Sequence, residues 1–474
     1  MTFIDFEKIA SKGGIIYFIG IGGIGMSAIA SILNHRGYKV QGSDISENQN
    51  VKRLQAEGIK IDLGHSRGNL SQDVALCVRS SIIKENNIEI EYCKEHNIPV
   101  VHRSDVLAQI MHGKFAVAVS GTHGKTTTTA LIASVIEHAL LDPTIINGGI
   151  INNKGTNVHY GKGKYIISEA DESDNSFIKL PADVAVITNI DSEHLDFYGT
   201  YDNLKQSFFK FIDQLKDGGF GVVCTDNEEV RELMPKWSGK DVVTYGFEGE
   251  PDVKAINIKS KGFGYSFDVI CSKKFNNKKI EGLEINIPGI HNISNALAAV
   301  AIALKLSIST EDLIKGIASY TGVKRRFTIT GKERGITFVD DYAHHPEEII
   351  ATLRAAKNVV AATGGKLFVI FQPHKYTRLR DLFDRFVKSF SDSDILYIAD
   401  VYAASEKPID GFDNQTLVRT IKERKAHNDV NVLNSSGLLP EIIRKRCKEN
   451  DIVMFLGAGD ITEWAYEVPS KING

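Results

Sequence analysis

Short apolar runs alternate with longer stretches of helical periodicity along most of the chain. The first apolar run covers residues 15–19 and passes into the glycine-rich segment 20–25, and a helical stretch to about Arg36 follows. A short apolar run, a glycine-rich turn and helical periodicity together are typical of a β-α-β unit. Three successive blocks follow this scheme, with predicted strands at 15–19, 40–43, 74–78, 115–119, 165–168, 184–188, 337–339, 367–371, 395–399 and 452–455.

This alternation predicts an α/β protein with mostly parallel sheets that carry helices on both faces. A chain of 474 residues is too long for one hydrophobic core, so several domains are expected. The segment 253–287 does not follow this order of strand and helix. Its residues alternate between apolar and polar and are rich in Gly and Lys, which predicts an antiparallel hairpin. Ligands of parallel sheets bind at the carboxyl ends of the strands, which is where the motifs described below lie.

Composition and charge describe an ordinary soluble protein. Hydrophobic residues make up 42% and charged residues 24%, and the formal net charge of −3 gives no reason to expect nucleic acid as a partner. The five cysteines are scattered, which argues against a disulfide framework or a structural zinc site. The acidic N-terminus does not resemble a signal peptide, and the apolar helical stretch 293–304 is shorter than the roughly 20 residues that span a bilayer. We expect a cytoplasmic protein that binds no membrane.

The strongest local signal is the segment Gly121-Thr122-His123-Gly124-Lys125-Thr126-Thr127, which follows an apolar strand directly. Glycines let a backbone wrap around an anion, amides at a helix start point at phosphate oxygens, and Lys125 supplies a cation. Thr126 would offer its hydroxyl to Mg²⁺. The standard P-loop has Gly where this chain has Val119, and a glycine-rich turn with a chance Lys-Thr pair is the alternative. The flanking strand and helix favour a phosphate loop.

A second glycine-rich segment, at residues 20–25, has the Gly-x-Gly-x-x-Gly spacing of a dinucleotide-binding fingerprint. Asp44 follows at roughly the distance expected of a ribose-binding acid. The spacing alone leaves three interpretations open. The segment could bind NAD, it could bind another nucleotide diphosphate, or it could simply allow a strand and a helix to pack closely.

Acidic residues follow two further apolar strands. The segment 168–174 holds four carboxylates, of which Glu169 lies nearest the strand end. Such a cluster is costly unless a cation or several donors neutralise it, and hard oxygen ligands near a phosphate suit Mg²⁺. His194, in the acidic segment 189–196, is a candidate ligand of a second metal ion. The alternatives are a solvated acidic loop and a structural histidine.

The remaining candidates are amides and charged side chains. Asn292 and Asn295 are three residues apart at the start of an Ala-rich helix, and two amides on one face can match the edge of adenine. Capping of the helix by Asn292 is the alternative. Segments 340–346 and 371–380 each follow a strand, and their Arg and His side chains could clamp carboxylates. For Arg380 a solvated helical position is the alternative.

Taken in order, these motifs resemble the Mur ligase family over essentially the whole chain. The motifs are GIGGIGMS at 20–27, GTHGKTT at 121–127, EADES at 169–173, NIDSEHLD at 189–196, HNISN at 291–295, DDYAHHP at 340–346, HKYTRLR at 374–380 and DVYAASEK at 400–407. The last three resemble the branch of the family that adds alanine. The resemblance implies a Rossmann-like UDP-sugar-binding domain over 1–109, a central P-loop ATPase domain over 110–321, and a Rossmann-like α/β domain over 322–474 that contacts the amino acid and ATP.

The resemblance also implies a reaction and a role for each candidate residue. ATP phosphorylates the carboxylate of UDP-N-acetylmuramate to an acyl phosphate, which the amine of L-alanine attacks. ATP and Mg²⁺ are the expected cofactors, and the expected metal ligands are Thr126, Glu169 and His194. The expected ATP contacts are Gly121, Thr122, His123, Gly124, Lys125, Thr126, Thr127, Asn292, Asn295, Arg326 and Asp341. The expected substrate contacts are Gly22, Gly23, Ile24, Gly25, Ser43, Asp44, His374, Arg378 and Arg380. The expected catalytic residues are Lys125, His344 and Arg378.

Two positions depart from the family pattern. Several Mur ligases carry a carbamylated lysine downstream of the metal-site histidine, whereas this chain has Ser207, Phe208 and Phe209 there, so a carbamate bridge is not expected. Ser405 stands where the alanine-adding branch usually has Gly. The open alternatives are a sister ligase that adds another amino acid or a peptide, an NAD-dependent dehydrogenase, and a nucleotide-binding switch. A monomer or a weak homodimer is expected.

Overall fold

The computed structural model of the protein describes residues 4–472 and contains three β-sheets. Two compact units are distinguished. One holds the described residues up to 257 together with 267–283 and 294–320, and the other holds 258–266, 284–293 and the described residues from 321 onward. Over the described residues, no helix is both long and apolar enough to cross a bilayer.

The first sheet is built by the N-terminal part of the chain. Its elements are α1 (Phe6–Ser11), β1 (Ile15–Ile19), α2 (Ile24–His35), β2 (Lys39–Asp44), α3 (Gln49–Ala56), β3 (Lys60–Leu63), β4 (Val74–Arg79), α4 (Ile88–Glu95), β5 (Val100–His102) and α5 (Arg103–Met111). The five strands are parallel and lie in the order β3-β2-β1-β4-β5. Every residue of the central strand β1 is buried, as expected of a parallel strand with both faces covered.

The second sheet follows along the chain. Its elements are β6 (Phe115–Ser120), α6 (Lys125–His138), β7 (Thr144–Ile151), β8 (Thr156–His159), β9 (Tyr165–Glu169), β10 (Val184–Ile187), α7 (Leu195–Tyr198), α8 (Tyr201–Asp213), β11 (Phe220–Cys224), α9 (Glu228–Leu233), β12 (Asp241–Gly246), β13 (Val253–Lys261), β14 (Gly264–Cys271), β15 (Lys279–Ile285), α10 (Ile290–Lys305) and α11 (Thr310–Ala318). The strand order is β15-β14-β13-β12-β11-β10-β6-β9-β7-β8. The strands from β13 through β7 in this order pair in parallel, and β8 is antiparallel to β7.

The third sheet lies in the second unit. Its elements are β16 (Thr328–Glu333), β17 (Ile336–Asp341), α12 (Pro346–Thr363), β18 (Leu367–Phe371), α13 (Tyr376–Asp381), α14 (Phe383–Lys388), β19 (Ile395–Ile398), α15 (Asn414–Glu423), β20 (Val430–Val432), α16 (Leu439–Arg446), β21 (Ile452–Leu456) and α17 (Ile461–Lys471). The order is β16-β17-β21-β18-β19-β20, with only β16 antiparallel to its neighbour among these described strands.

The predicted α/β class and the positions of the predicted strands are confirmed. The predicted hairpin corresponds to β13 and β14, which are adjacent in the sheet and are joined by the two residues Gly262 and Phe263. A connection this short joins antiparallel strands, because parallel neighbours need a long crossover.

The first and second sheets share one hydrophobic core. Ile29 on α2 is buried in the same cluster as Ile146 on β7 and Val158 on β8. A polar contact reinforces this packing, since Asn157 Nδ2 donates to the backbone oxygen of Ile24 over 2.9 Å. Helix α2 therefore packs against its own sheet on one side and against the β7–β8 pair on the other.

Glu89 on α4 is fully buried and connects three parts of the first sheet. Tyr17 on β1 and Ser43 on β2 donate to its carboxylate over 3.0 and 2.6 Å. Asn69, from the segment after β3, donates over 2.8 Å, and His65 Nδ1 lies 3.0 Å away. A buried carboxylate is tolerated only when donors surround it. Glu89 thus fixes how the ends of β1 and β2 meet the loop after β3.

Glu89→Gln should destabilise the protein. The variant keeps the size of the side chain but replaces one accepting oxygen with an NH₂ group. Buried donors that bind this oxygen lose their acceptor, which lowers the free energy of unfolding by about 1–3 kcal/mol. Glu91→Gln is the control, because Glu91 lies on the same helix with its side chain 49% exposed. Urea denaturation followed by circular dichroism should show that loss for the Glu89 variant and a change within about 0.5 kcal/mol for the control. Equal stabilities for the two variants would contradict the network.

Candidate active site

Residues 121–127, the phosphate loop, connect β6 to α6. Gly121 has φ +133° and Gly124 has φ +83°, which are conformations that favour glycine. A Cβ on Gly121 would overlap the Thr188 hydroxyl, and one on Gly124 would lie 2.6 Å from Asn295 Oδ1. Both the backbone conformation and the surrounding space therefore require glycine at these two positions.

The residues after β10 hold this loop in place. Thr188 Oγ1 and Asn189 Nδ2 both donate to the backbone oxygen of His123, over 2.6 and 3.0 Å. Asn189 Oδ1 accepts from the His123 amide over 2.9 Å, and Thr122 Oγ1 accepts from the Asp191 amide over the same distance. The shape of the phosphate loop is therefore set by a neighbouring strand end as well as by the loop itself.

Lys125 points back onto the phosphate loop. Its Nζ donates to the backbone oxygens of Gly121 and Thr122, over 2.6 and 3.0 Å, and to Glu172 Oε1 over 2.9 Å. Burial lowers the pKa of Lys125, but the nearby carboxylates raise it by a larger amount, Glu172 most of all. The pKa of Lys125 is therefore above its usual value. The lysine is therefore charged, and it is the cation that this loop can offer to a phosphate.

Two of the three predicted metal ligands are in direct contact. Thr126 Oγ1 donates to Glu169 Oε2 over 2.9 Å, and the Gly148 amide donates to the same oxygen over 2.8 Å. Burial raises the pKa of Glu169, although the charge of Lys125 opposes the shift. Glu172 Oε2 is buried and accepts no hydrogen bond from the described residues. The buried Glu172 and the partly buried Glu169, both beside one lysine, have the oxygen chemistry that suits Mg²⁺.

His194, the third predicted metal ligand, lies beside the same cluster. Its Nε2 is 3.6 Å from Glu172 Oε1 and 3.8 Å from Glu193 Oε2. Burial lowers the pKa of His194, but Glu172 raises it above its usual value. On α8, Phe208 is fully buried and packs on Phe177 with ring centroids 5.2 Å apart. Phe208 lies in the region where the resemblance places a lysine in several Mur ligases, and here this residue is part of the core.

The N-terminal glycine segment (residues 20–25) leads from β1 into α2. Gly23 is the N-cap of α2, and because glycine has no side chain it cannot cap the amides of the first turn. This turn begins with Ile24 and Gly25. Uncapped amides at the start of a helix attract anions, because they carry the positive end of the helix dipole. This geometry fits a diphosphate, which is among the ligands that the sequence left open for this segment.

The two side chains predicted to bind substrate beside this segment contact the protein itself. Asp44 Oδ2 accepts a hydrogen bond from the Gly22 amide over 2.8 Å. Ser43 is fully buried, and its hydroxyl donates to Glu89 over 2.6 Å. Ser43 supports the segment through its backbone oxygen, which accepts from the Gly20 amide over 2.9 Å. Contact of either side chain with a substrate stays a prediction.

Most candidates for the amino-acid site lie in the second unit. The rings of His344 and His374 have centroids 6.0 Å apart, and His374 stacks on Tyr402 at 5.5 Å. Arg378 Nη1 lies 3.2 Å from His374 Nδ1. Burial, reinforced by the Arg378 charge, lowers the pKa of His374 to about 4. His374 is therefore neutral near pH 7, while Arg378 supplies the positive charge.

The two other arginines predicted here have different surroundings. The Arg326 guanidinium lies 5.4 Å from the ring centroid of Tyr342. Arg380 on α13 has its side chain 46% exposed, and its Nε donates to Asp381 over 2.7 Å. Of the arginine pair on α13, Arg378 is the one that contacts another candidate residue.

Asp341 is buried at the end of β17. Its carboxylate accepts hydrogen bonds from the amides of Phe327, over 2.7 Å, and Ala343, over 2.8 Å. Burial raises the pKa of Asp341 to about 6, against the opposing charge of Arg326. The carboxylate therefore fixes the turn after β17, and its protonation changes close to physiological pH.

The two predicted adenine contacts lie three residues apart on α10, and both are buried. Asn292 Nδ2 donates to the backbone oxygen of Pro288 over 2.6 Å, so this residue also secures the chain that enters the helix. Asn295 Oδ1 accepts from Thr128 Oγ1 over 3.1 Å, which joins α10 to the helix of the phosphate loop.

Family models match three consecutive parts of the chain. The catalytic domain of the Mur ligase family matches residues 15–115, the Mur ligase middle domain matches 119–303, and the Mur ligase glutamate ligase domain matches 325–459. The chain belongs to the Mur ligase family. Its fold is accordingly the three-domain α/β arrangement that the sequence predicted.

Individual Mur ligases are similar over nearly their whole length. The UDP-N-acetylmuramate–L-alanine ligase of Rhizobium etli is 47% identical over 98% of both chains, and that of Brucella ovis is 46% identical over 97% of both. The crystal structure of the UDP-N-acetylmuramate-alanine ligase MurC from Thermotoga maritima has a TM-score of 0.81 at 28% identity, covering 97% of this chain and 99% of that one. A murein peptide ligase from Psychrobacter arcticus, at 22% identity, shares the fold with a TM-score of 0.70, covering 98% of this chain and 99% of that one.

Some residues that shape this Mur ligase site were not among the sequence predictions. Thr188 holds the phosphate loop, and Glu348 lies beside His344, with an oxygen 3.2 Å from the His344 amide and 3.4 Å from its Nδ1. Glu348 follows His344 by four residues at a helix start, a spacing that could have identified it. No local pattern identifies Thr188, because it meets the loop from another strand.

Ser405 departs from the family pattern at a position where the backbone favours glycine. Its φ is +70°, in the left-handed region, and the preceding residue Ala404 has φ +47°. A non-glycine residue in this region costs roughly 1–2 kcal/mol. The usual Gly of the alanine-adding branch is therefore explained by the turn, and Ser405 occupies that turn at an energetic cost.

Asp341→Asn should change how stability depends on pH. The folded protein holds a proton on Asp341 up to a pKa of about 6, whereas an unfolded chain releases it near about 4. The resulting stabilisation is fully present below about pH 4 and is lost as pH rises through about 6. The asparagine mimics the protonated form and does not titrate, so the variant does not lose this stabilisation. The unfolding free energy of the unmodified protein should therefore fall relative to that of the variant by about 2–3 kcal/mol between pH 4 and 7. Urea titrations across this range measure the two unfolding free energies, and Asp381→Asn is the exposed control. A difference between variant and unmodified protein that does not change with pH would contradict this interpretation.

Proposed function

We propose that the protein is an ATP-dependent ligase that joins L-alanine to the carboxylate of UDP-N-acetylmuramate in peptidoglycan precursor synthesis. The observation that carries the proposal is the phosphate loop, where Lys125 contacts the buried Glu172 and Thr126 contacts the partly buried Glu169. The choice of substrates rests on the two relatives of that name, which are 46% and 47% identical over nearly the full length. The five free cysteines agree with a reaction in the cytoplasm.

The proposed chemistry begins with activation of the carboxylate, because an amine does not displace hydroxide at neutral pH. The γ-phosphoryl group of ATP would pass to the carboxylate, the alanine amine would attack the acyl carbon, and phosphate would leave. Positioning and charge neutralisation supply most of the catalysis in such transfers. Lys125, which stays charged, would neutralise the β- and γ-phosphates.

Mg²⁺ is the proposed metal, held by Thr126 and Glu169 with His194 at a second position. When bound there, it would supply charge neutralisation at the phosphates. The contact of Thr126 with Glu169, and the buried Glu172 oxygen that accepts no hydrogen bond from the described residues, support a cation in this place. The core position of Phe208 supports a site without a carbamate.

The other roles follow the family pattern. Gly22, Gly23, Ile24 and Gly25 would bind the diphosphate of the UDP-sugar, with Asp44 and Ser43 as their support. The ATP contacts would be Gly121, Thr122, His123, Gly124, Thr127, Asn292, Asn295, Arg326 and Asp341. Alanine and the carboxylate would be oriented by His344, His374, Arg378 and Arg380. The proposed domains are 1–109, 110–321 and 322–474, and each contains most of one family-model match.

The amino-acid choice tests the proposal directly. The protein would be incubated with UDP-N-acetylmuramate, ATP, Mg²⁺ and mixed amino acids, and the products identified by mass spectrometry. We expect the L-alanine product to dominate, with slower use of glycine and L-serine, because a difference of one methylene is worth only about 1–3 kcal/mol. No product is expected with D-glutamate or without Mg²⁺.

Other products would point to the alternatives. A preference for D-glutamate or for a peptide would identify a sister ligase. ATP hydrolysis without any amide product would indicate a nucleotide-binding switch, and NAD-dependent oxidation would indicate a dehydrogenase, which membership of the Mur ligase family disfavours.

Lys125→Ala should abolish most of the ligase activity. Loss of one preorganised charge contact in such a site typically lowers the rate by about 10²–10³ or more. UDP-N-acetylmuramate should still bind, because its proposed segment lies in the first sheet. Lys164→Ala is the control, since the Lys164 ammonium lies over the ring of Tyr165 and makes no hydrogen bond or ion pair with the described residues. Near-normal turnover of the Lys125 variant would show that this loop does not bind the transferring phosphate.

A further inference from the structure

Arg103, the first residue of α5, connects the first sheet to the acidic segment (residues 168–174). Its Nη2 donates to Asp171 Oδ2 over 2.6 Å, and the two side chains are 19% and 39% exposed. Within residues 4–472, the Arg103 guanidinium makes no second hydrogen bond. One edge of the guanidinium is therefore held by a carboxylate, while Nη1 is left to bind something else.

Arg103 Nη1 lies against the N-terminal glycine segment. A Cβ built on Gly25 would come within 3.1 Å of Nη1, closer than ordinary van der Waals contact. Gly25 is therefore the residue that allows the guanidinium to reach the start of α2. A guanidinium can bind two anions at once, because its five N–H groups point in fixed and different directions. A partly buried cation thus stands where the proposed function places the UDP diphosphate.

Asp171 connects this arginine to the phosphate loop. Its other oxygen, Oδ1, accepts from the Ser173 amide over 3.0 Å, so the carboxylate also fixes the local turn. The residue inside that turn is Glu172, which binds Lys125 over 2.9 Å. The position of Arg103 therefore constrains the carboxylate that holds the phosphate-binding lysine.

The attachment of the first sheet does not depend on Arg103. Ser81 donates to Asp174, His102 Nε2 lies 3.3 Å from the same residue, and Lys179 Nζ donates to Asp105 over 3.1 Å. These contacts and the shared core remain when Arg103 is replaced. A variant at this position can therefore test a role in binding apart from a role in folding.

We propose that Arg103 is a positioning residue that binds the UDP-sugar diphosphate through Nη1 while Nη2 stays on Asp171. A bound diphosphate fixes Arg103, Arg103 fixes Asp171, and Glu172 then holds Lys125 ready for ATP. UDP-sugar binding and ATP binding are thereby coupled, and the coupling factor is the same in both directions. This inference rests on the proposed function, because it takes the UDP-sugar and ATP as the two ligands.

Isothermal titration calorimetry tests the coupling. The Kd of UDP-N-acetylmuramate is measured with and without Mg²⁺ and a non-hydrolysable ATP analogue. In the unmodified protein the analogue should tighten sugar binding about fivefold or more. Asp171→Asn should bring that factor close to one, while the Kd of the sugar alone changes by less than about threefold. Arg103→Gln should weaken sugar binding about tenfold or more and also lose the coupling.

Two further variants separate binding from structure. Arg103→Lys should restore part of the sugar affinity but not the coupling, because an ammonium group does not present two parallel N–H edges. Lys179→Met breaks a neighbouring contact between the same elements and should leave affinity and coupling unchanged. Normal coupling in Asp171→Asn, or lost coupling in Lys179→Met, would overturn the role of Arg103. An unmodified protein that neither binds the sugar nor forms product would instead overturn the proposed function.

Discussion

A group of carboxylates lies at the end of β9, with Glu172 buried and Glu169 and Asp171 partly buried, and Lys125 balances part of its charge. This lysine binds Glu172 and two carbonyl groups of the phosphate loop, so it holds the loop and the acidic segment at a fixed separation. The charges of Asp171 and Glu172 both raise the pKa of Glu169, so these carboxylates are close enough to interact. Glycine at positions 121 and 124 lets the same loop pass close to Thr188 and Asn295, where a Cβ would overlap these side chains.

Much of the fold could be predicted because buried parallel strands leave a clear local signature. Strands β1, β6, β18 and β21 are continuous apolar runs, and each is buried along nearly its whole length. Several strands were not predicted, among them the fully buried β11 and the short strands β3 and β20. The last two lie at sheet edges, where β3 has no buried residue and β20 has one. Edge strands expose one side to water, so their composition is mixed and their pattern is weak.

The candidate site could be predicted in outline for the same reason, since nearly all the motifs lie at or just after the end of a strand, whereas the segment 291–295 lies on α10. The partners of the motif residues could not. The resemblance implies that Ser43 contacts a substrate, and no pattern in the sequence shows that its hydroxyl binds Glu89, 46 residues further along the chain. Arg103 and Asp171 are 68 residues apart, and no local spacing reports such a contact. Sequence patterns thus identify which segments carry chemistry, and the tertiary fold decides which side chains support them.

The core shared by the first two sheets links the energetics of segments that are far apart in the sequence. Because Ile29, Ile146 and Val158 belong to one cluster, local opening of either sheet disturbs the packing of the other. A ligand that binds only the folded form of the N-terminal glycine segment stabilises every residue that opens together with it. Such a ligand would therefore slow amide hydrogen exchange in β7 and β8, even though it touches neither strand.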